Sequence, residues 1–283
     1  MGLYINPVLS DRDFGFFRIG GPGLANCMFV AARAAVLSQK LKVPMLRPTW
    51  ERLGIGQWLR RERDKRFYSR LFNNASEICG TRKLLIRLLH RHVSEADAMT
   101  ALKGVVDVSG LGRYFEDFSL CADEVRRYFF EHIAPSAIAN VPSGKQDFVA
   151  IHVRLGDYPE HWRTNINWYV NVVKLVANRR CGKSAQRFWL FSDGTDEELE
   201  PLICMNNVER VYFGNAVADM VAISRSKLLI GSDSTFSAWG AFLGDIPAVF
   251  AHLHFGHISG EGDKEFVSGD FQKISNWLSG VES

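Results

Sequence analysis

Three stretches of the chain carry side chains whose types and spacing suit the handling of phosphate. In Ile151-His152-Val153-Arg154-Leu155-Gly156-Asp157-Tyr158 an apolar run passes straight into His, Arg, Gly and Asp. A guanidinium is a permanently charged planar fork that matches phosphate oxygens, and at Arg154 it would stabilise the charge that builds on a departing diphosphate. Alternatively, Arg154 and Asp157 simply pair to close a loop. Gly231-Ser232-Asp233-Ser234-Thr235-Phe236-Ser237-Ala238-Trp239-Gly240 also follows an apolar run and then opens a helical pattern. Amides and hydroxyls at such a helix start bind phosphate, while plain N-capping by Asp233 or Ser234 accounts for the same serines. The third stretch, Gly20 to Asn26, matches the start of a dinucleotide fingerprint as Gly21-x-Gly23-x-x-Asn26. It lacks the third glycine and the acidic residue about 20 positions on, which argues against a nicotinamide cofactor and leaves a tight turn whose backbone can approach a ligand closely.

These residues need strands and helices to present them. From Phe148 onward the pattern predicts strand (Phe148 to Val153), helix (Trp168 to Asn178), strand (Arg187 to Phe191), helix (Thr195 to Asn206), strand (Val208 to Phe213) and helix (Asn215 to Arg225). Strand (Lys227 to Gly231), helix (Thr235 to Leu243) and strand (Ala248 to Ala251) follow. Such alternation implies a parallel sheet clothed by helices, with ligands at the carboxyl ends of its strands. The first half predicts a strand at Phe16 to Ile19, the glycine turn, a helix from Cys27 to Leu41 and a strand at Val43 to Leu46. Helical patterning near Gly56 to Leu71 and Thr81 to His92 and a strand at Gly104 to Val108 complete it. Prolines and polar residues mark Ala134 to Gln146 as a linker, so 283 residues divide into an α/β domain of residues 1–140 and a second of 147–283. The segment Glu265 to Leu278 reads as a terminal helix that either stays in the second domain or crosses back to the first.

The net charge of +3 conceals an asymmetry, because residues 47–92 hold twelve Lys/Arg against four Asp/Glu. A block of this kind faces solvent, a phosphorylated substrate, an anionic membrane or nucleic acid. In Thr81 to His92 the leucines gather on one side and Arg/Lys on another. That describes a core-facing helix with a wet basic side, or a helix lying on a membrane surface, which would suit a lipid-linked acceptor. A nucleic-acid footprint would draw on Arg60, Arg61 and Arg63, but the block contains no nucleic-acid motif and none is expected as partner. Five scattered cysteines (Cys27, Cys79, Cys121, Cys181, Cys204), never in C-x-x-C, argue against a disulfide framework and a zinc site and suit a reducing cytoplasm. No stretch nears the roughly 20 apolar residues of a membrane span, and Met1 to Val8 lacks the pattern of a signal peptide.

In order and context the motifs resemble those of the α-1,2-fucosyltransferase family and its wider fucosyltransferase superfamily. Gly21-Pro22-Gly23-Leu24-Ala25-Asn26-Cys27-Met28-Phe29 is similar to the family's G-G-L-G-N-Q-(L/M)-F opening, and His152 to Tyr158 to its H-x-R-R-G-D-Y signature. Phe191-Ser192-Asp193 resembles its F-S-D strand end, and Ser234 to Ala241 its S-T-F-S-W-W-G-A helix start. The resemblance implies a GT-B fold, two Rossmann-like domains facing a central cleft. It further implies inverting transfer from a guanine-linked sugar donor such as GDP-fucose to a glycan acceptor, with no metal and no other cofactor. It places Gly21, Gly23, Asn26, His152, Arg154, Asp193, Asp219, Ser234, Thr235 and Phe236 around the donor, with Arg154 on the β-phosphate and Asp219 near the base. It also points to the loop after the signature for the catalytic base, with Glu160, then His161, then Asp157 as candidates. Three positions depart from the pattern: Leu155 replaces the second arginine, Ala238 one tryptophan and Cys27 the glutamine. These leave open another guanine- or uridine-linked sugar, or a sugar-nucleotide binder without turnover.

Overall fold

The computed structural model describes residues 2–54, 67–73, 78–156, 158, 160–179, 185–258 and 264–281. Arg60, Arg61, Arg63, Asp157, Pro159, Cys181 and the helical pattern from Gly56 through Arg66 lie outside the described residues. The chain forms two compact units, Met1–Ala139 and Asn140–Ser283.

In unit 1 the central sheet is parallel and three-stranded: β1 (Leu3–Pro7) beside β5 (Gly104–Val108) beside β4 (His92–Ser94). Ile5, Val106 and Val108 are sealed from solvent together with Ala34 of α1 (Leu24–Leu41). The first strand is therefore Leu3–Pro7 and not the expected Phe16 to Ile19. Of that run only Arg18–Ile19 (β2) is extended, paired with Arg52–Leu53 (β3) in a separate ribbon, because Phe14, Phe16 and Phe17 face solvent. The expected strand at Val43 to Leu46 reduces to single bridges, Met45 with Ile5 and Leu46 with Ile78.

The helix α2 (Gly80–Leu89) corrects the expectation more sharply. Lys83 is fully enclosed, its Nζ donating to Thr49 Oγ1 (2.6 Å) and the Arg47 carbonyl (2.7 Å), with Asp13 at 3.6 Å. Arg87 reaches the same buried carboxylate at 3.3 Å. Lys83 and Arg87 thus face inward, while Leu85, Leu88 and Leu89 face outward. Asp13 is also held by Gly15 N (2.7 Å) and Thr49 (2.8 Å) in this network. Burial moves the Lys83 ammonium down to about 8. No described helix is long and apolar enough to cross a membrane.

Unit 2 is built on a six-stranded parallel sheet of order β11-β10-β9-β6-β7-β8. Its strands are β6 (Val149–Val153), β7 (Phe188–Ser192), β8 (Val208–Arg210), β9 (Leu228–Gly231), β10 (Ala248–Phe250) and β11 (Glu265–Val267). Alternation along β6 sends Val149, Ile151 and Val153 into a core with α4 (Ile166–Asn178), α5 (Asp196–Ile203) and α8 (Phe271–Val281). His152 points to the opposite face, where α7 (Thr235–Gly244) lies. Helix α3 (Ala122–His132) belongs to unit 1, and α6 (Ala216–Ser224) packs on α7. Glycines make that last contact close: a Cβ on Gly240 would meet Ile223 Cγ2 at 2.5 Å, and one on Gly244 would overlap the Ser224 carbonyl. The expected terminal helix begins later than its sequence suggests, since Glu265–Val267 joins the sheet as an edge strand. Ile274 and Leu278 of α8 are buried in the core of unit 2, and Arg179 donates to the Ser275 carbonyl.

Candidate functional site

Strand order in unit 2 reverses at β6: the chain next adds β7 and β8 on one side, then β9, β10 and β11 on the other. Loops diverge at the carboxyl ends of β6 and β9, which opens the crevice where parallel sheets hold ligands. Arg154 leaves β6 at this point. Its guanidinium is ion-paired with Asp193, which follows β7, and the same carboxylate accepts the Leu155 amide at 2.9 Å. Gly156 makes this approach sterically feasible, because a Cβ there would overlap Asp193 Oδ2. Asp193 is thus a partner of Arg154; Asp157, the partner weighed from the sequence, lies outside the described residues. Leu155 is buried and packs against Gly194, so where the signature has a second arginine this chain has an apolar wedge.

On the β9 side Ser234 is the N-cap of α7, its Oγ accepting the amides of Phe236 (3.1 Å) and Ser237 (3.5 Å). Those two amides are occupied by the cap, and the Ser234 hydroxyl keeps its own proton to donate. Thr235 and Phe236 are half-buried beside it. His152 couples the two strand ends: its Nδ1 lies 2.6 Å from Ser237 Oγ and 3.1 Å from Ser232 Oγ, and its ring is 4.9 Å from that of Phe236. It is buried, so its evident work is to fix α7 against β6.

Burial, aided by the nearby Arg154 charge and opposed by Asp193, lowers the His152 imidazole from 6.5 to about 4. In the unfolded chain the ring takes up its proton near 6.5, in the folded chain only near 4. Between these values the unfolded state holds more protons, so the contribution of His152 is complete above pH 6.5 and is lost as pH falls toward 4. Urea unfolding from pH 7 to 4 should show a shallower acid slope in His152→Gln; parallel slopes would contradict this assignment.

The remaining expected residues are dispersed. Asp219, in the first turn of α6, accepts the Phe213 amide at 2.8 Å and so anchors the loop after β8. Glu160 and His161 form an exposed turn with Trp162. In unit 1, Gly21 (φ +79°) does approach a neighbour closely, but the neighbour is Arg18: a Cβ there would meet Arg18 Nη1 and the Leu9 carbonyl at 2.6 Å. The Arg18 guanidinium is buried inside the turn, donating to the carbonyls of Gly20 (2.5 Å) and Pro22 (3.4 Å) and to Cys27 Sγ (3.2 Å). Gly23 caps α1 and faces open space, with half-buried Asn26 three residues on.

One group escaped the sequence reading. The buried Asp233 accepts the His254 amide (3.1 Å) and its ring Nδ1 (2.7 Å), with His252 Nε2 at 3.6 Å. Tyr158 donates to the Asp233 carbonyl at 2.7 Å, and the Trp162 ring meets that of His254 edge-on at 5.2 Å. The Nδ1 contact places the proton of a neutral ring on Nδ1 and leaves Nε2 as the acceptor. His252-x-His254 stands directly after β10, so the strand-end rule applied to that strand would have found it.

No protein family is matched by the sequence, and no curated protein matches it. Solved structures do match. Escherichia coli heptosyltransferase WaaC with ADP superposes at TM-score 0.53 with 12% identity, over 99% of this chain and 100% of the other. A variant of Arabidopsis thaliana FUT1 in complex with GDP gives 0.54 and 11%, over 91% and 72%. The fold is GT-B. The NodZ α-1,6-fucosyltransferase soaked with GDP-fucose matches at 0.52 and 13%, over 87% and 93%. Within this GT-B chain, Arg154, Asp193, His152 and the start of α7 converge at the carboxyl ends of β6, β7 and β9.

Proposed function

We propose that this GT-B protein transfers fucose from GDP-fucose to a glycan hydroxyl, inverting the anomeric carbon without a metal ion. The observation that carries the proposal is Arg154, held by Asp193 at the end of β6 beside the Ser234-capped start of α7. Unit 2 would bind the donor and unit 1 the acceptor. Support for the donor comes from the four motifs in order and from the GDP and GDP-fucose carried by FUT1 and NodZ, although WaaC carries ADP. The α-1,2 linkage rests on the sequence motifs alone.

In this reaction the acceptor oxygen attacks the anomeric carbon while the bond from that carbon to the phosphate oxygen breaks. The electron pair leaves with the nucleoside diphosphate, and Arg154 and the Ser234 hydroxyl neutralise the growing charge. The acceptor's proton must go to a base on the face opposite the leaving group. We assign that role to His254 Nε2, because Asp233 orients its ring, whereas Glu160 and His161 lie on an exposed turn. Asp219, in the first turn of α6, is the candidate for contact with the guanine base.

Calorimetric titration with GDP, GDP-fucose, GDP-mannose, UDP and ADP in the presence of EDTA tests the reading. GDP and GDP-fucose should bind without metal. Binding of UDP or ADP alone would replace the donor, and binding of none would remove the proposal.

A further inference from the structure

The side of α2 that meets water carries leucines, while Lys83 and Arg87 turn inward. Leu85, Leu88 and Leu89 are 54%, 71% and 68% exposed, and their spacing forms one helical stripe. The loop Asp13 to Phe17 runs alongside: Arg87 donates to the Asp13 carbonyl (3.1 Å), and a Cβ on Gly15 or Gly80 would touch Leu84 (3.7 Å) or Phe16 (3.5 Å). Phe14, Phe16 and Phe17 are themselves 48%, 50% and 36% exposed. Three phenylalanines and three leucines are thus exposed on two neighbouring elements of unit 1, and exposed apolar groups gathered in this way mark an interaction site.

The charge around this surface selects its partner. Exposed Arg82 and Arg91 stand near the two ends of the leucine stripe. Between Asp13 and Glu51, and again between Glu77 and Glu95, the sequence contains no carboxylate. Two copies of the chain meeting through this face would bring like charges together, which disfavours a self-interface. A bilayer with anionic headgroups satisfies both features, taking leucine and phenylalanine side chains below the headgroups and pairing arginines with phosphates. We infer that the surface formed by Phe14, Phe16, Phe17 and the Leu85–Leu89 stripe docks unit 1 on an anionic lipid surface. The inference stands on unit 1 alone and is independent of the reaction assigned to unit 2.

Co-sedimentation of the full chain with vesicles of phosphatidylcholine, alone or with one third phosphatidylglycerol, tests it. The chain should bind the anionic vesicles, with affinity that falls as salt rises. Phe16→Ser/Leu88→Ser should weaken binding to both vesicle types at least tenfold. Arg82→Gln and Arg91→Gln should each cost about fivefold on anionic vesicles only. These side chains are exposed, so each variant should keep the wild-type circular dichroism spectrum and melting temperature; a second apolar variant, Leu85→Ser/Leu89→Ser, replaces the first if it does not fold. Absence of binding to either vesicle, or unchanged binding by both folded apolar variants, overturns the inference. So does sedimentation-velocity evidence of a dimer that the apolar substitutions dissolve, which would assign the surface to a second copy.

Discussion

Replacing Arg154 by alanine is expected to lower sugar transfer about 10²–10³-fold, the usual loss when one preorganised donor to a developing negative charge is removed. GDP affinity should fall roughly tenfold or more, because a hydrogen bond to a charged partner contributes about 1.5–3 kcal/mol. The two effects have one source. Arg154 is not a mobile surface cation: Asp193 holds its guanidinium and simultaneously accepts the Leu155 amide, so the fork is aimed before any ligand arrives. Arg154→Lys should recover charge without the planar fork and regain only part of the rate. Asp193→Asn should leave nucleotide affinity closer to wild type than Arg154→Ala does, since it loosens the arginine without removing it. Calorimetry and single-turnover transfer read both quantities, and unchanged GDP binding in Arg154→Ala would remove Arg154 from the site.

The second large effect is expected at His254. His254→Gln should reduce transfer about 10²–10⁴-fold, the span of general base catalysis, with donor affinity retained. Glutamine preserves a polar side chain but cannot take the proton, so the loss should appear in kcat and not in KM. Added imidazole should restore part of the rate in the variant and have no effect on Arg154→Ala. Equal turnover by His254→Gln would return the role to Glu160 or His161, whose substitutions are then the next to measure.

Much of unit 2 was legible in the sequence because strands such as β6 and β9 are buried on both faces and read as continuous apolar runs, and because each of β6 to β9 is followed by a helix. Arg154 and Ser234 could be singled out for the same reason: polar groups at the end of an apolar strand stand out. Elements whose conformation is set by distant partners were harder to read. Leu3–Pro7 is five residues ending in proline, and only its register with Gly104–Val108 makes it a strand of that sheet. Glu265–Val267 looked helical, yet its glutamate carboxylate accepts the Ile258 amide (2.6 Å) and lies 2.6 Å from His257 Nδ1 while the backbone pairs with β10. In α2, helical periodicity sets Lys83 and Arg87 apart from Leu85, Leu88 and Leu89 but cannot tell which side is inside. That choice is made by Asp13 and Thr49, more than thirty residues away, which supply the buried acceptors for Lys83. His254 escaped notice because its meaning depends on Asp233, a residue that on sequence alone reads as a helix cap.

The glycine turn near the start of unit 1 has a consequence for how kinship with this chain should be judged. Its hollow is filled by the chain's own Arg18, which takes the place a foreign anion-binding loop would reserve for a guest. Gly21 is therefore constrained by an internal plug, and the run Gly20 to Gly23 reports whether a sequence keeps that plug. Two proteins sharing the run would have in common a way of closing the amino-terminal unit, and could differ in every molecule they recognise.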